Sequence, residues 1–282
     1  MKIKYGLSAK KRIQQRILTV VAAVVTLIQI VPIAVIILNS MRENSAIDVH
    51  MMGLPTSFYL ENYVVAWKKG EYFQAYLNSI LIGVSSALLV LIMVGFAVYG
   101  LVKMECYFAG FFRNYFVAGL AIPTFSTLVP LYFIFHRLGL VNNHLGMILI
   151  FTAMNISFNF MFLYAFFQGL PTELDEAARI DGASELQNFW YNVIPLAKPI
   201  FTSMILIVFV NTWNEFLFSN TFLQDNEKRT VALRFYNFVG RSSADYGYIY
   251  ASAIISILPI VVVYLLMQNS FIEGMTAGSV KG

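Results

Sequence analysis

The stretch Pro171-Thr-Glu-Leu-Asp-Glu-Ala-Ala-Arg-Ile-Asp-Gly-Ala-Ser-Glu-Leu-Gln-Asn-Phe-Trp-Tyr-Asn-Val-Ile-Pro-Leu-Ala-Lys-Pro199 is a long polar interruption between two strongly apolar segments. It holds five of the fifteen acidic residues of the chain, which are Glu173, Asp175, Glu176, Asp181 and Glu185. Charged side chains are costly in hydrocarbon, so this segment is expected to lie outside the lipid. We call it the 171–199 hairpin.

Local signals predict that the hairpin is a helix, a turn and a second helix. Pro171 suits a first helical turn, Thr172 is a candidate cap, and the clustered acids favour the positive end of the helix dipole. Gly182 is expected to end this first helix. Ser184 then opens the second one, because Gln187 follows three residues later at the spacing of a capping box.

The second helix is expected to stop at Pro195 and Pro199, since proline interrupts a helical hydrogen-bond ladder. Its predicted apolar face consists of Leu186, Phe189, Trp190 and Val193.

The first helix has little side-chain bulk around Ala177 and Ala178, with Gly182 one turn later, which suits close docking of another protein. The order Glu176-Ala177-Ala178, Asp181-Gly182 and Ile194-Pro195 resembles the EAA loop of ABC importer inner-membrane permeases, and the longer run from Leu170 to Ala183 is similar to the carbohydrate-importing, maltose-type branch. An ordinary amphipathic cytoplasmic hairpin is the competing interpretation. The resemblance implies that the hairpin couples to a separate ATPase through Leu174, Glu176, Ala177, Ala178, Asp181, Gly182 and Ser184.

The composition is that of a membrane protein. The chain has 282 residues, of which 59% are hydrophobic and 12% charged, and the mean hydropathy is +0.69. Soluble domains carry about 25% charged residues. Six of the nineteen cations lie in the first sixteen residues, so the net charge of +4 indicates topology and not a nucleic-acid partner.

Six segments are apolar and long enough to cross a bilayer. Their approximate bounds are 17–40, 76–101, 112–135, 144–168, 199–221 and 249–270. The basic N-terminal segment fixes the start in the cytoplasm, and six crossings return the C-terminus there. The sequence thus predicts an all-α integral membrane protein with six transmembrane helices and a cytoplasmic coupling loop. Its parts are a basic cytoplasmic tail (1–16), a permease domain (17–270) and a C-terminal tail (271–282).

Polar residues inside the fifth span form a candidate substrate pathway. Asn211, Asn214 and Glu215 share one helical face with Trp213 close by, and Trp213 to Phe216 resembles an element of the sugar-importing branch. These groups either line a path for a carbohydrate or hold the helices together. In the fourth span, Asn155 and Asn159 form a similar stripe, for which helix packing is the preferred interpretation.

Two further features bear on the resemblance. The C-terminal tail, with Gly278, Lys281 and Gly282, is similar to the tail that reaches the ATPase dimer in maltose-type permeases. The loop after the second span usually carries arginine in this family, whereas here it reads Val102-Lys103-Met104-Glu105-Cys106. In the third span, Pro123 and Pro130 permit either a broken helix or a continuous one, and the continuous helix is preferred.

The sequence has no phosphate-binding loop of the form G-x-x-x-x-G-K-[ST], and no H-E-x-x-H, G-x-S-x-G or Cys/His cluster. We therefore expect a permease subunit, not an enzyme, of an ATP-driven, binding-protein-dependent importer for a sugar or oligosaccharide in a bacterial cell membrane. Alternatives are an ion-driven secondary transporter subunit and an ABC permease for a non-sugar solute.

The resemblance also implies the partners. They are a second permease subunit that is related but different, an ATPase dimer, an extracellular solute-binding protein, a carbohydrate substrate and membrane lipid; nucleic acid is not expected, and a homodimer stays open. No cofactor or metal is expected in this chain, because ATP and Mg would bind the partner ATPase.

Overall fold

The computed structural model describes residues 9–49, 53–55, 58–104, 106–239 and 245–277, and every regular element within these ranges is helical. The predicted all-helical class is therefore confirmed. Gly278, Lys281 and Gly282 of the predicted C-terminal tail lie outside the described residues, as does the first half of the basic N-terminal tail.

The chain divides into two compact units. The first contains residues 1–70 and 238–255. Its helices are α1 (Ala9–Ser40), α2 (Asn44–Val49) and α3 (Glu61–Lys69). The buried Asn62 side chain donates hydrogen bonds from Nδ2 to the carbonyl oxygens of Ser40 (3.0 Å) and Arg42 (2.8 Å), which holds α3 against the end of α1.

The second unit contains residues 71–237 and 256–282. Its helices are α4 (Tyr72–Lys103), α5 (Ala109–Leu120), α6 (Leu128–Arg137), α7 (His144–Phe167), α8 (Glu173–Ile180), α9 (Glu185–Asn188), α10 (Ile194–Asn214), α11 (Leu217–Phe222) and the larger parts of α12 (Val231–Val239) and α13 (Tyr246–Ala277).

Five helices of the described residues are long and apolar enough to cross a membrane, or six if one bent pair counts as a single span. That pair is the predicted third span. Its two halves, Ala109–Leu120 and Thr124–Arg137, meet at 89°. The prediction that this span is one continuous helix is therefore wrong. Pro123 has no N–H to donate and restricts the residue before it, which breaks the helix there.

The second helix of the hairpin runs without a break into the fifth span. Residues 185–188 are α-helical, Phe189–Val193 form a π-helical turn, and α10 continues to Asn214. The prediction that Pro195 and Pro199 stop this helix is wrong. The π turn changes the hydrogen-bond register just before Pro195, which then lies in the first turn of α10, where a missing N–H is tolerated.

Helix α4 packs between α7 and α10 at the centre of the second unit. Gly83 allows α4 and α10 to pack closely, because a Cβ at this position of α4 would lie 2.9 Å from the ring of Phe209 on α10. The shared core consists of buried side chains from all three helices, among them Val90, Val94, Val98, Phe160, Leu163, Phe167, Ala197, Met204 and Val208. This packing fixes the end of α4 close to the hairpin.

Candidate functional site

The turn of the 171–199 hairpin forms as its sequence predicts. Asp181 is the C-cap of α8, and Gly182 takes the left-handed conformation with φ +79°. Ser184 Oγ accepts from the N–H of Gln187 (3.3 Å), and the Ser184 N–H donates to Gln187 Oε1 (2.8 Å). The predicted capping box is confirmed, whereas Thr172 makes no side-chain cap.

Six of the seven predicted docking residues are exposed. They are Leu174, Glu176, Ala177, Asp181, Gly182 and Ser184. Ala178 is 6% exposed and packs inward, so the expected pair of small exposed residues is reduced to Ala177. Ile180, which the sequence did not single out, is 86% exposed and adds apolar surface beside the turn. On the predicted apolar face of the second helix, Phe189 and Val193 are buried, whereas Leu186 and Trp190 are exposed.

The inner side of α8 is held by a buried ion pair. Lys103 Nζ at the end of α4 lies 2.7 Å from Asp175 Oδ2, with side-chain exposures of 3% and 8%. Asn188 Nδ2 donates to Asp175 Oδ1 (2.8 Å) and to the hydroxyl of Tyr99 (3.1 Å), and Lys103 also donates to the carbonyl oxygen of Leu170 (3.3 Å). The charges of Lys103 and Asp175 thus neutralise each other where α4, α8 and α9 meet. We call this contact the joint.

A second, partly exposed ion pair lies beside the first. Arg179 Nε donates to Glu185 Oε1 (2.9 Å), and Arg179 also donates to the carbonyl oxygen of Lys103 (3.1 Å). The hydrogen bond to Glu185 raises the pKa of Arg179 above its ordinary value, so its charge is retained. Tyr99 donates to the other oxygen of Glu185 (2.8 Å).

Sequence reasoning missed this network. Helical spacing places Asp175 and Ala178 on one face of α8, but only the structure shows that this face is the buried one.

The candidate pathway residues do not form one stripe. Asn211 and Asn214 are exposed on α10, and Asn211 Nδ2 donates to Asn155 Oδ1 on α7 (3.1 Å). Asn155 and Asn159 are buried and bond to carbonyl oxygens one turn earlier in α7. The packing interpretation preferred for these two residues agrees with those bonds.

Trp213 and Glu215 lie elsewhere. Trp213 is 3% exposed and donates from Nε1 to the carbonyl oxygen of Ser256 on α13 (3.0 Å), so it packs inside the helix bundle. Glu215 has left α10 and has an extended backbone with φ −73° and ψ 122°. The expectation that Glu215 shares a helical face with Asn211 and Asn214 is therefore wrong.

A cavity of about 480 Å³ lies where the third span breaks. It is bounded by the end of α5, the start of α6 and the middle of α7, with hydroxyl groups of Thr124, Thr127 and Ser157 in its wall. The break thus places polar side chains in a recess among apolar helices. No group of three or more His, Cys, Asp or Glu side chains within the described residues is arranged to hold a metal ion.

A bundle of long apolar helices with a polar hairpin held at one end defines a multi-pass membrane protein. Residues 92–275 match the family described as binding-protein-dependent transport system inner membrane component. This match covers more than half of the chain, so the chain belongs to that family. The resemblance found in the sequence is confirmed.

Relatives align over almost the whole chain. The trehalose/maltose transport system permease protein MalG of Thermococcus litoralis is 33% identical over 97% of this chain and 99% of its own. The melibiose/raffinose/stachyose import permease protein MelC of Bacillus subtilis is 32% identical over 95% and 97%. The diacetylchitobiose uptake system permease protein NgcG of Streptomyces coelicolor is 31% identical over 91% and 85%.

A solved structure has the same fold. The crystal structure of a bacterial ABC transporter involved in the import of the acidic polysaccharide alginate contains a chain that superposes with a TM-score of 0.80 at 24% identity, covering 94% of this chain and 99% of that one.

Proposed function

We propose that this chain is the permease subunit of an ATP-driven, binding-protein-dependent importer whose substrate is a sugar or an oligosaccharide. The substrate class is supported by the names of three relatives, which specify trehalose and maltose, melibiose and related sugars, and diacetylchitobiose. The cavity at the break of the third span and the exposed amides of Asn211 and Asn214 supply polar groups of the kind that bind sugar hydroxyls.

The observation that carries the coupling proposal is the geometry of the hairpin. It exposes Leu174, Ala177 and Ile180 on α8, while its second helix is continuous with the 30-residue helix from Glu185 to Asn214. When a partner bound to this exposed surface moves, it would therefore displace a membrane span. In this proposal the surface is the EAA-type coupling loop, and the partner is a separate ATPase dimer that binds ATP and Mg.

The proposed topology has six crossings, with the bent pair counted as one and both termini in the cytoplasm. This chain would then form half of the translocation pathway. A second permease subunit, related to this chain but different from it, would form the other half. A solute-binding protein would dock on the outer face, and the chain itself would need no cofactor.

Site-directed crosslinking tests the docking. Cys106 is the single cysteine, so Cys106→Ser gives a clean background for Ala177→Cys. We expect Ala177→Cys to crosslink to the ATPase subunit and to react with a membrane-impermeant thiol reagent only from the cytoplasmic side. Leu54→Cys, at a position that is 75% exposed in the loop predicted to be external, is the matched control and should show neither behaviour.

Transport assays test the energy source, the coupling role of the hairpin and the substrate class. In proteoliposomes with the second permease chain, the ATPase and the binding protein, uptake of labelled trehalose, raffinose or diacetylchitobiose should require ATP, and Gly182→Asp should lower uptake per ATP hydrolysed. Uptake driven by an ion gradient without ATP would instead favour the secondary transporter. ATP-dependent uptake of a non-sugar solute alone would refute the substrate class.

A further inference from the structure

The end of α4 is joined to the inner face of α8 by the ion pair between Lys103 and Asp175. We infer that these two side chains are positioning residues that transmit a displacement of the 171–199 hairpin to α4. The inference rests on the proposed coupling role of the hairpin and adds a second route to it, separate from the continuous helix that leads into α10.

Helix α8 has few other anchors. Of its eight residues only Asp175 and Ala178 are buried, and Ala178 contributes a single methyl group. Hydrophobic packing of α8 is therefore small, and polar contacts hold the helix in place. They are the ion pair of Asp175 with Lys103, the hydrogen bond from Asn188 to Asp175, and the hydrogen bonds from Arg179 to Glu185 and to the carbonyl oxygen of Lys103. Without the ion pair, α8 would stay joined to α4 through the Arg179 hydrogen bond to the carbonyl oxygen of Lys103, and the buried charge on its inner face would lose its partner.

The chemistry of the joint makes it sensitive to loss of either partner. Both charges are almost fully buried, and Asp175 Oδ1 is also engaged by Asn188. Removing one partner of a buried pair leaves an uncompensated charge, whereas replacing a partner by a residue of the same charge keeps the joint. The pair therefore fixes α8 on α4 with a defined geometry.

Helix α4 is suited to pass the movement on, because it contributes to the core shared with α7 and α10 through Val90, Val94 and Val98. A displacement of Asp175 is thus transmitted through α4 to the core that α4 shares with α7 and α10. A displacement transmitted through α9 acts directly on α10 alone. Two routes of this kind would move α4 and α10 together when the hairpin moves.

The joint is tested by measuring a distance within the chain. Spin labels on Ile180 of α8 and Leu88 of α4 occupy exposed positions, and Leu88 lies roughly 22 Å along the helix from Lys103. In the Cys106→Ser background of the full chain, purified without the ATPase, pulsed electron paramagnetic resonance should give a narrow distance distribution. Lys103→Met should broaden it, and both Lys103→Arg and the exchange Lys103→Asp with Asp175→Lys should restore it.

The consequence is tested by uptake per ATP hydrolysed. Lys103→Met should lower this ratio by roughly 2-fold to 30-fold, the range found for residues along coupling networks, while Lys103→Arg stays near the parent value. Arg113→Met is the matched control, since it removes an exposed cation of α5 that forms no ion pair with any described residue, and it should leave the ratio unchanged.

An unchanged distance distribution in Lys103→Met would refute the claim that the ion pair fixes α8 on α4. A broadened distribution with an unchanged ratio would overturn the transmission while leaving the docking proposal intact. The distance measurement does not depend on the ATPase, so failure of the Ala177→Cys crosslink would count against the proposed function alone. If Lys103→Met does not accumulate in the membrane, Asp175→Asn, which keeps the side-chain shape, carries the same test.

Discussion

The carboxylate of Glu215 accepts hydrogen bonds from both the main-chain N–H and the hydroxyl group of Ser219, with Oε2 at 3.0 Å from N and 3.3 Å from Oγ. Its other oxygen accepts from the N–H of Phe218 (2.8 Å). These main-chain donors belong to the first turn of α11, which has no helical partners for them. Glu215 therefore lies directly after α10 and stabilises the start of α11.

Replacing Glu215 by alanine should lower the stability of the protein, because three hydrogen bonds to the carboxylate are lost. Loss of a capping side chain costs about 1 to 2 kcal/mol, and thermal unfolding of the purified chain in detergent measures it. Glu215→Gln should keep part of the stability, since the amide oxygen still accepts.

Asn214→Ala is the control for Glu215→Ala, because Asn214 is exposed and its side chain bonds to the carbonyl oxygen of Val210 within α10. It should unfold close to the parent temperature. If Glu215→Ala also unfolds at the parent temperature but loses uptake, the capping role is wrong and the pathway role predicted from the sequence is favoured.

Local features of the hairpin could be predicted from the sequence. The capping box of Ser184 and Gln187 and the end of α8 at Gly182 depend on residues close in the chain, so their signals are complete within a short window. The long apolar segments were also recognisable, because span length and composition suffice to identify them.

Features that depend on tertiary packing could not be predicted in this way. The burial of Ala178 follows from the orientation of α8 on α4, which the two adjacent alanines do not specify. The continuity of the helix through Pro195 depends on a π turn, whose register has no simple sequence signal. The pairing of Lys103 with Asp175 joins residues 72 positions apart, and only the fold brings them together.

Gly182→Ala should destabilise the hairpin turn. A Cβ at this position would meet no described atom within 4 Å, so the cost is conformational and comes from φ +79°. A non-glycine residue in this region costs about 1 to 2 kcal/mol, whereas asparagine tolerates it better. We expect weaker copurification of the ATPase with Gly182→Ala than with Gly182→Asn.

Gly139 provides a matched control for Gly182, because it also has a positive φ (+67°) and an added methyl group would enter open space among the described residues. Gly139→Ala should lower the unfolding temperature by a similar amount but leave ATPase copurification intact. Equal loss of copurification in both variants would show that general instability, and not the hairpin turn, is responsible.

Gly146→Ala should be among the most damaging single-methyl substitutions in the chain. A Cβ at Gly146 would lie 2.2 Å from the carbonyl oxygen of Leu140, and a backbone atom cannot move aside as a side chain can. Overpacking of this kind costs roughly 1 to 3 kcal/mol. Gly100→Ala is the control, since a Cβ there meets no atom of the described residues within 4 Å.

Thermal unfolding distinguishes the two glycine variants. Gly100 lies inside α4, so alanine should stabilise by up to about 1 kcal/mol through helix propensity, while Gly146→Ala unfolds at a lower temperature. A Gly146→Ala protein as stable as the parent would mean that the turn at Leu140 can shift without cost.

Asp225 should titrate below its ordinary range. Asn142 Nδ2 donates to Asp225 Oδ2 (2.6 Å), and Lys228 Nζ lies 3.2 Å from the same oxygen. The Asn142 hydrogen bond first, and then Lys228, lower the pKa of Asp225 from its ordinary value of 3.8. Because the folded-state pKa is depressed, the stabilisation is fully present above the unfolded value and is lost as the pH falls through the folded value.

Carboxyl-carbon NMR of the chain labelled on its five aspartates tests this titration. The resonance that disappears in Asp225→Asn should titrate with a midpoint below 3.8, and Asn142→Ala should move it upward because the largest stabilising contact is removed. Lys228→Met should move it upward by less, since the exposed ammonium group is screened by solvent. A midpoint at or above 3.8 in the parent protein would contradict the hydrogen-bonded arrangement of Asp225 and Asn142.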